Sequence, residues 1–446
     1  MSSIETLRPG DDGYDESARV LVGTGSPAVV VRPRTADEVA EAVTGAVRDG
    51  STIAVRSGGH SMAGHGTNDG GTVIDLRHLD SVEVLDADRR LVRVGAGATW
   101  AKVAAALSSY GWSLTSGDTT SVGVGGLTLG GGVGWMVRKH GLTIDHLASA
   151  RVVTADGRLL TASETENPDL FWALRGGGGN LGVVVDFDFV AHDTATVHFG
   201  TITYELDDAA RMLTLWRDAM RAAPEELSST FTLVPRFPGA PPTAVVLACY
   251  AGAKDASADE ADAAFEPLLE LGTVRDADIA DRTYAEILEE PQVPPPGIRF
   301  NSRDTMVAQL DDAVIEAAAA AHQGPAPTAI AVRFLGGAFA RVPADATAFA
   351  HRDAEAMVLG AVFTPDTATD AEVEAALGGW AAVAALGTGT YVGFQGASTD
   401  ADVAAAYPPE TYARLAEVKR TYDPDNVFRL NHNVEPATTE RADPAA

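Results

Sequence analysis

The sequence predicts an α+β fold in two parts, the second built on a mainly antiparallel sheet. Up to about Val190, helix-capping signals alternate with short apolar strands. From Ala191 to Thr399, strand-like runs come in closer succession with helices between them. The chain has 446 residues, 46% of them hydrophobic, which supplies apolar surface for more than one core.

Thr35 and Glu38 are spaced as a capping box. Behind them Val39, Val43 and Val47 fall on one helical face, and Gly50 suits the helix end. A short apolar strand follows at 52–55, and another at 73–76. Residues 99–107 read as a second amphipathic helix. Residues 168–174 read as a third, with Pro168 near its start and Gly176 after its end. Residues 183–190 alternate apolar side chains with Asp186 and Asp188, the pattern of a half-exposed strand. In the second part the strand-like runs are 199–204, 230–234, 244–250, 330–334 and 357–363. A helix is expected at 312–321, and proline-rich loops at 237–242 and 291–297. A last helix, 410–421, is stopped by Asp423 and Pro424. The expected division is 1–190, 191–399 and 400–435, with a disordered polar tail at 436–446.

A formal net charge of −29 repels phosphate backbones and anionic lipid, so neither nucleic acid nor membrane is an expected partner. Cys249 is the only cysteine, which excludes an intrachain disulfide and a cysteine-based metal cluster. It sits in an apolar run and reads as a buried strand residue. Residues 1–10 lack a basic region followed by an apolar core, and no apolar stretch is long enough to span a bilayer. A soluble, cytoplasmic protein is expected.

The chemistry concentrates in glycine-rich segments. The strand at 52–55 runs into Arg56-Ser57-Gly58-Gly59-His60-Ser61. Adjacent glycines let backbone N–H groups approach an anionic ligand, and a histidine at the edge of such a turn touches what the turn holds. A second cluster, 117–134, interleaves glycines with Val122, Val124, Leu127, Leu129, Val133 and Trp135. So many glycines cost conformational entropy, and close contact with a large ligand offsets it. Gly177 to Gly182 also matches G-x-G-x-x-G. There a helix precedes and a strand follows, the reverse of a dinucleotide fingerprint, so a Rossmann NAD site is rejected. His60 and His65 lack acidic or cysteine neighbours in sequence, so no metal site is assigned.

Segments 33–39, 55–75, 117–145, 170–184 and 422–433, in that order, resemble the berberine-bridge-enzyme-like flavoproteins of the vanillyl-alcohol-oxidase superfamily. The resemblance implies a two-part FAD-binding domain, to which 400–435 returns, and an α+β substrate domain between. It implies FAD bonded covalently through His60. The pyrophosphate would lie near Arg56, Ser57, Gly58, Gly59 and Gly64, with further contacts from Ser61, Thr119, Thr120, Gly123, Asp145 and Val183. Neutral imidazole is a competent nucleophile toward the flavin methyl carbon. Asn431 and Asn433 are expected as polar contacts near the flavin. Doubly attached members use a cysteine where this chain has Thr119, so a single bond is implied. Many members carry a tyrosine base, in a strand corresponding to 391–395, where this chain has Phe394. Tyr391 and Tyr407 are the candidate replacements, with Tyr250 and His140 weaker ones.

The implied activity is oxidation of a hydroxyl-bearing small molecule, a sugar or a secondary metabolite, by hydride transfer to flavin N5. Oxygen or another acceptor would then reoxidise the flavin. An oxygen-avoiding dehydrogenase and a catalytically degenerate FAD-binding protein are the alternatives.

Overall fold

The computed structural model describes residues 4–253, 258–291 and 295–438. Residues 292–294 of the second proline-rich loop and 439–446 of the expected tail lie outside them. Within the described part of that tail, Ala437 N donates to Ala416 O at 3.0 Å.

The first part holds two sheets. In one, Val29–Arg32, Thr72–Asp75 and Ile53–Arg56 run parallel, with Glu5–Leu7 antiparallel at the edge. The middle strand Thr72–Asp75 is buried at every residue, as a parallel strand covered on both faces should be. The helix Ala36–Arg48 starts where Thr35 accepts from Glu38 N. It buries Val39, Ala42, Val43 and Ala46, whereas Val47 is 40% exposed, because the apolar stripe follows the 3.6-residue period.

The other sheet is antiparallel, in the order Leu159–Ser163, Leu147–Val153, Val183–Val190, Leu91–Gly95, Val82–Asp86. Its central strand departs from the sequence expectation. Asp186 and Asp188 are buried, at 7% and 8% exposure. Arg93 grips Asp188 with two hydrogen bonds of 2.7 and 2.9 Å, and Arg151 binds Asp186. Their alternation marks a cross-strand ion-pair ladder, not a wet face.

The second part is a seven-stranded, wholly antiparallel sheet. Its order is Val274–Thr283, Thr196–Glu205, Thr243–Tyr250, Leu227–Leu233, Thr328–Phe334, Ala356–Pro365, Ile298–Val307. The two outermost strands carry no strand signal that the sequence reading picked up. Val274–Thr283 is mostly exposed and highly charged, as suits an edge strand that must not recruit another chain. Helices Ala209–Ala222 and Asp312–His322 cover one face and form a core with Trp216, Phe231 and Ile315. From the other face Phe199, Cys249, Met306 and Met357 pack among residues of the first part. Cys249 is fully buried, as its apolar run predicts.

The C-terminal helix Pro409–Tyr422 returns to the first part and adds Leu415, Ala416, Val418 and Tyr422 to its core. Lys419 and Asp423, both at 0% side-chain exposure, pair at 3.2 Å. Lys419 Nζ also donates to Asn180 O at 3.0 Å and Phe428 O at 2.8 Å, while Asp423 accepts from Val427 N and Phe428 N. Asn180 in turn donates to His432 O and accepts from Val434 N. The chain end is thus fastened to the 177–182 loop, its buried charges satisfied on every side.

Several histidines are buried or half-buried. His140 and His192 stack at 3.7 Å between ring centroids, with His146 edge-on to His192 at 4.1 Å. Burial pushes His140 down to about 3, His65 down to about 4, and His192 well below its ordinary value. Each of these groups binds its proton more weakly folded than unfolded. Stability is therefore complete above the unfolded value of 6.5 and is lost as pH falls toward 4 and then 3. The expected loss between about pH 7 and about pH 5, the upper part of that window, is on the order of a few kcal/mol, read from urea midpoints. Equal midpoints would contradict neutral buried histidines.

Candidate active site

A cavity of about 440 Å³ opens where the first part, the large sheet and the C-terminal segment meet. The turn after Arg56 and the glycine-rich segment form two of its walls. Asn431 and His432 contribute to a third, and Glu289, Glu290 and Phe300 line the side toward the large sheet.

The two glycine walls touch through their backbones. A Cβ on Gly58 would lie 2.3 Å from Gly123 N, and one on Gly123 would lie 2.1 Å from Gly58 N. No side chain fits between them. Gly59 completes the turn at φ +73°, a conformation that glycine adopts freely. Ser57 Oγ bridges the walls, donating to Ala96 O at 2.6 Å and accepting from Gly125 N at 3.2 Å. Across the contact, His60 Nε2 meets Ser121 Oγ at 2.9 Å. Burial lowers the His60 pKa, which keeps its imidazole neutral near pH 7.

The structure brings Ser57, Gly58, Gly59, His60, Ser61, Thr119, Gly123 and Asn431 to the cavity, together with Tyr391 and Tyr407. Arg56 also lines it, but its guanidinium turns away, held by Asp75 at 2.7 Å and by Ser17 O at 2.6 Å. Its charge is spent on fixing the strand ends. Gly64, Thr120, Asp145, Val183 and Asn433 are not among the lining residues. Gly64 lies in the turn beyond, its N–H bonded to Ser61 O. Thr120 N donates to Glu289 O at 2.9 Å. Asp145 is enclosed in an ion pair with Arg352, at 2.7 and 2.9 Å. Val183 faces away because neighbours along a strand alternate, and Val184 lines the cavity instead. Asn433 accepts from Lys419 behind the wall.

Residues 391–394 form a turn, not a strand. Asp304 Oδ2 accepts from Tyr391 N at 2.7 Å and Ser302 Oγ donates to Phe394 O at 2.8 Å, which curls the backbone. The Tyr391 hydroxyl accepts from Gly132 N at 3.3 Å, and burial pushes its pKa up to about 12. Burial also raises Tyr407, whose hydroxyl is buried without a hydrogen-bond partner. Neither phenol takes a proton readily near neutrality. The weaker candidates Tyr250 and His140 lie outside the cavity lining.

Asp118 and Glu289, which line the cavity, were not foreseen. Asp118, next to Thr119, is paired with Arg333 at 2.7 Å, and Arg333 stacks over Trp135 at 5.1 Å. Glu289 N donates to Asp118 O at 2.7 Å, and the Asp118 charge acts on the Glu289 carboxyl. Burial first, then the charge of Asp118, raises the Glu289 pKa. Ser121, the partner of His60, lies behind the lining. Only Asp118 and Ser121 carried a sequence signal, their place inside the glycine cluster; Glu289 reaches the site by tertiary packing alone. No helix among the described residues is long and apolar enough to cross a membrane.

Residues 27–163 match the family model described as FAD binding domain, and 390–435 match the one described as berberine and berberine like. (R)-6-hydroxynicotine oxidase of Paenarthrobacter nicotinovorans is 31% identical, covering 97% of this chain and 96% of that protein. Xylooligosaccharide oxidase of Thermothelomyces thermophilus is 30% identical, covering 92% and 88%. The crystal structure of 6-hydroxy-D-nicotine oxidase from Arthrobacter nicotinovorans superposes with a TM-score of 0.86 at 30% identity, covering 97% and 98%. Glucooligosaccharide oxidase from Acremonium strictum, described with a 6-S-cysteinyl, 8α-N1-histidyl FAD, gives 0.83 at 25%, covering 98% of each.

The Gly58–Gly123 contact makes a direct prediction. Gly123→Ala forces the two backbones apart and lowers stability by about 1–3 kcal/mol in urea unfolding. Gly45→Ala, in a helix with nothing within 4 Å of the new methyl, raises it by up to about 1 kcal/mol.

Proposed function

The chain belongs to the FAD-linked oxidoreductases of the berberine-bridge-enzyme type, within the vanillyl-alcohol-oxidase superfamily, and on that premise we propose an oxidase that carries its FAD on His60 and oxidises a hydroxyl-bearing small molecule. The observation that carries the proposal is a neutral, partly buried His60 at the edge of a glycine cradle that opens into a large cavity.

The residues present fit the cofactor. A Cβ on Gly126 would meet no atom within 4 Å, although Gly126 lines the cavity, so the empty space there has the breadth of a ligand. Asn431 spends both amide hydrogens on Gly179 O and Phe428 O, which leaves Oδ1 as a buried acceptor without a donor. The Tyr407 hydroxyl is likewise unpartnered. Such groups cost stability unless a ligand pairs them. When bound, the flavin supplies a two-electron acceptor that dioxygen or another acceptor regenerates.

The chain's own residues divide the remaining work. The backbone of the Gly58–Gly59 turn, not the Arg56 guanidinium, receives the pyrophosphate. Thr119 offers no thiolate, so His60 is the single anchor. Tyr391 and Tyr407 stay protonated and donate hydrogen bonds to what fills the cavity. Glu289 takes the proton that the substrate hydroxyl releases, since a carboxylate raised toward neutrality suits a general base. Asp118, Glu289 and Glu290 give the cavity an acidic edge that accepts hydrogen bonds from substrate O–H groups.

Acid denaturation tests the attachment. A yellow pellet and a colourless supernatant are expected, reversed in His60→Ala; a colourless wild-type pellet would sink the covalent bond, and a colourless native preparation the whole reading. Oxygen uptake with substrate separates an oxidase from a dehydrogenase. Glu289→Gln should lower kcat by about 10²-fold or more at neutral pH, the usual worth of a general base. An unchanged kcat assigns the base elsewhere.

A further inference from the structure

We propose that Ser121 is the positioning residue for flavin attachment: its hydroxyl holds the His60 ring with Nε2 on serine and Nδ1 free before the bond forms, and takes the ring proton as it forms. The inference rests on the His60 attachment proposed above. Ser121 comes from a different segment of the chain, sixty-one positions away, yet its Oγ lies 2.9 Å from His60 Nε2.

The approach is rigid on both sides. A Cβ on Gly58 would lie 2.7 Å from Ser121 O, so the serine backbone is pressed against the turn that carries His60. Its neighbours are tied to the helix Trp100–Ser108, Trp100 N donating to Val122 O at 3.0 Å and Ala101 N to Thr120 O at 3.1 Å. Ser121 therefore has little room to leave the imidazole.

A neutral imidazole holds one N–H and one lone pair. With the proton on Nε2, donated to Ser121 Oγ, the lone pair lies on Nδ1. That nitrogen has no hydrogen-bond partner among the described residues, and His60 lines the cavity. The opposite tautomer would leave the reactive lone pair against serine. In the attachment, one C–H bond of the flavin ring methyl breaks and a bond forms from that carbon to Nδ1. The proton on Nε2 leaves through Ser121. The electron pair left on the ring passes to dioxygen, which with the two released protons becomes hydrogen peroxide. Afterwards Nε2 is a bare acceptor, and the Ser121 hydroxyl turns to donate to it. A hydroxyl serves both stages because it both accepts and donates. Alanine can do neither; threonine can do both.

The test follows covalent attachment in FAD-free full-length protein mixed with FAD in air, by fluorescence of the acid-denatured chain. Ser121→Ala should attach FAD about tenfold more slowly, the worth of one hydrogen bond in the transition state. Its initial non-covalent binding of FAD, read by fluorescence quenching, should change by less than about twofold. Ser121→Thr should restore the rate. Attachment by Ser121→Ala at the wild-type rate, or Thr behaving like Ala, overturns the role of Ser121. Wild-type protein that binds FAD but never attaches it overturns the His60 reading instead. Should Ser121→Ala fail to fold, ¹⁵N NMR of the FAD-free wild type decides: a proton on His60 Nε2 supports the proposal and one on Nδ1 overturns it.

Discussion

The site depends on one steric constraint, the direct contact of backbone with backbone at Gly58 and Gly123. Because neither position has a side chain, the turn that ends a parallel strand and the segment that opens the short helix Val124–Gly130 come within hydrogen-bonding range of each other. Ser57 then bridges to Ala96 and Gly125, and Ser121 reaches His60. The same wall carries Gly126, where a Cβ would meet nothing within 4 Å. Glycine here is not flexibility. It is the absence of bulk in a place where the surrounding chain removes the freedom that glycine would otherwise have.

Three buried ion pairs hold the elements that carry this wall. Arg56 and Asp75 tie adjacent parallel strand ends, at 4% and 1% side-chain exposure. Arg352 and Asp145 join the loop after the fifth strand of the large sheet to the end of the glycine-rich segment. Lys419 and Asp423 lock the returning chain end to the 177–182 loop. Each charge lies beside further hydrogen bonds, which is the condition under which buried ions are tolerated. Loss of one partner from such a pair costs about 3–5 kcal/mol, far more than a surface pair is worth. The cavity is thus bounded by elements whose relative placement is electrostatically specified, although its lining is largely apolar.

How much of this could be read from sequence follows from the range of each interaction. Capping at Thr35 and the glycine spacing at 58–59 and 117–134 are local, and they were legible. The order of segments carried the cofactor and the family. Charge burial was not legible: Asp186 and Asp188 looked wet because their arginine partners lie on neighbouring strands. The partner of Asp145, Arg352, is 207 residues away and could not be read from the sequence. The edge strand Val274–Thr283 has no alternation to read, since its pairing with Thr196–Glu205 supplies the order that its own side chains do not. The site therefore divides cleanly. Its backbone cradle is written in short motifs, while Arg333 and Glu289 arrive only with the tertiary fold.

Desolvation acts in opposite senses on the histidines and on the tyrosines and Glu289 of this cavity, and that asymmetry shapes what the site can do. It lowers His60, His65 and His432, which keeps imidazoles neutral and nucleophilic. It raises Tyr391 and Tyr407, which keeps phenols protonated and donating. It raises Glu289 as well, and there the neighbouring charge of Asp118 adds to the effect while Arg333 restrains it. The Asp118–Arg333 pair is consequently more than a brace. Arg333 holds Asp118 ionised against its own burial, and the ionised Asp118 adds to the rise that burial gives Glu289. Desolvation thus disfavours histidine cations and tyrosinates in the cavity and raises the Glu289 carboxyl. Phe394, where the resemblance places a tyrosine, lines the same cavity as Glu289.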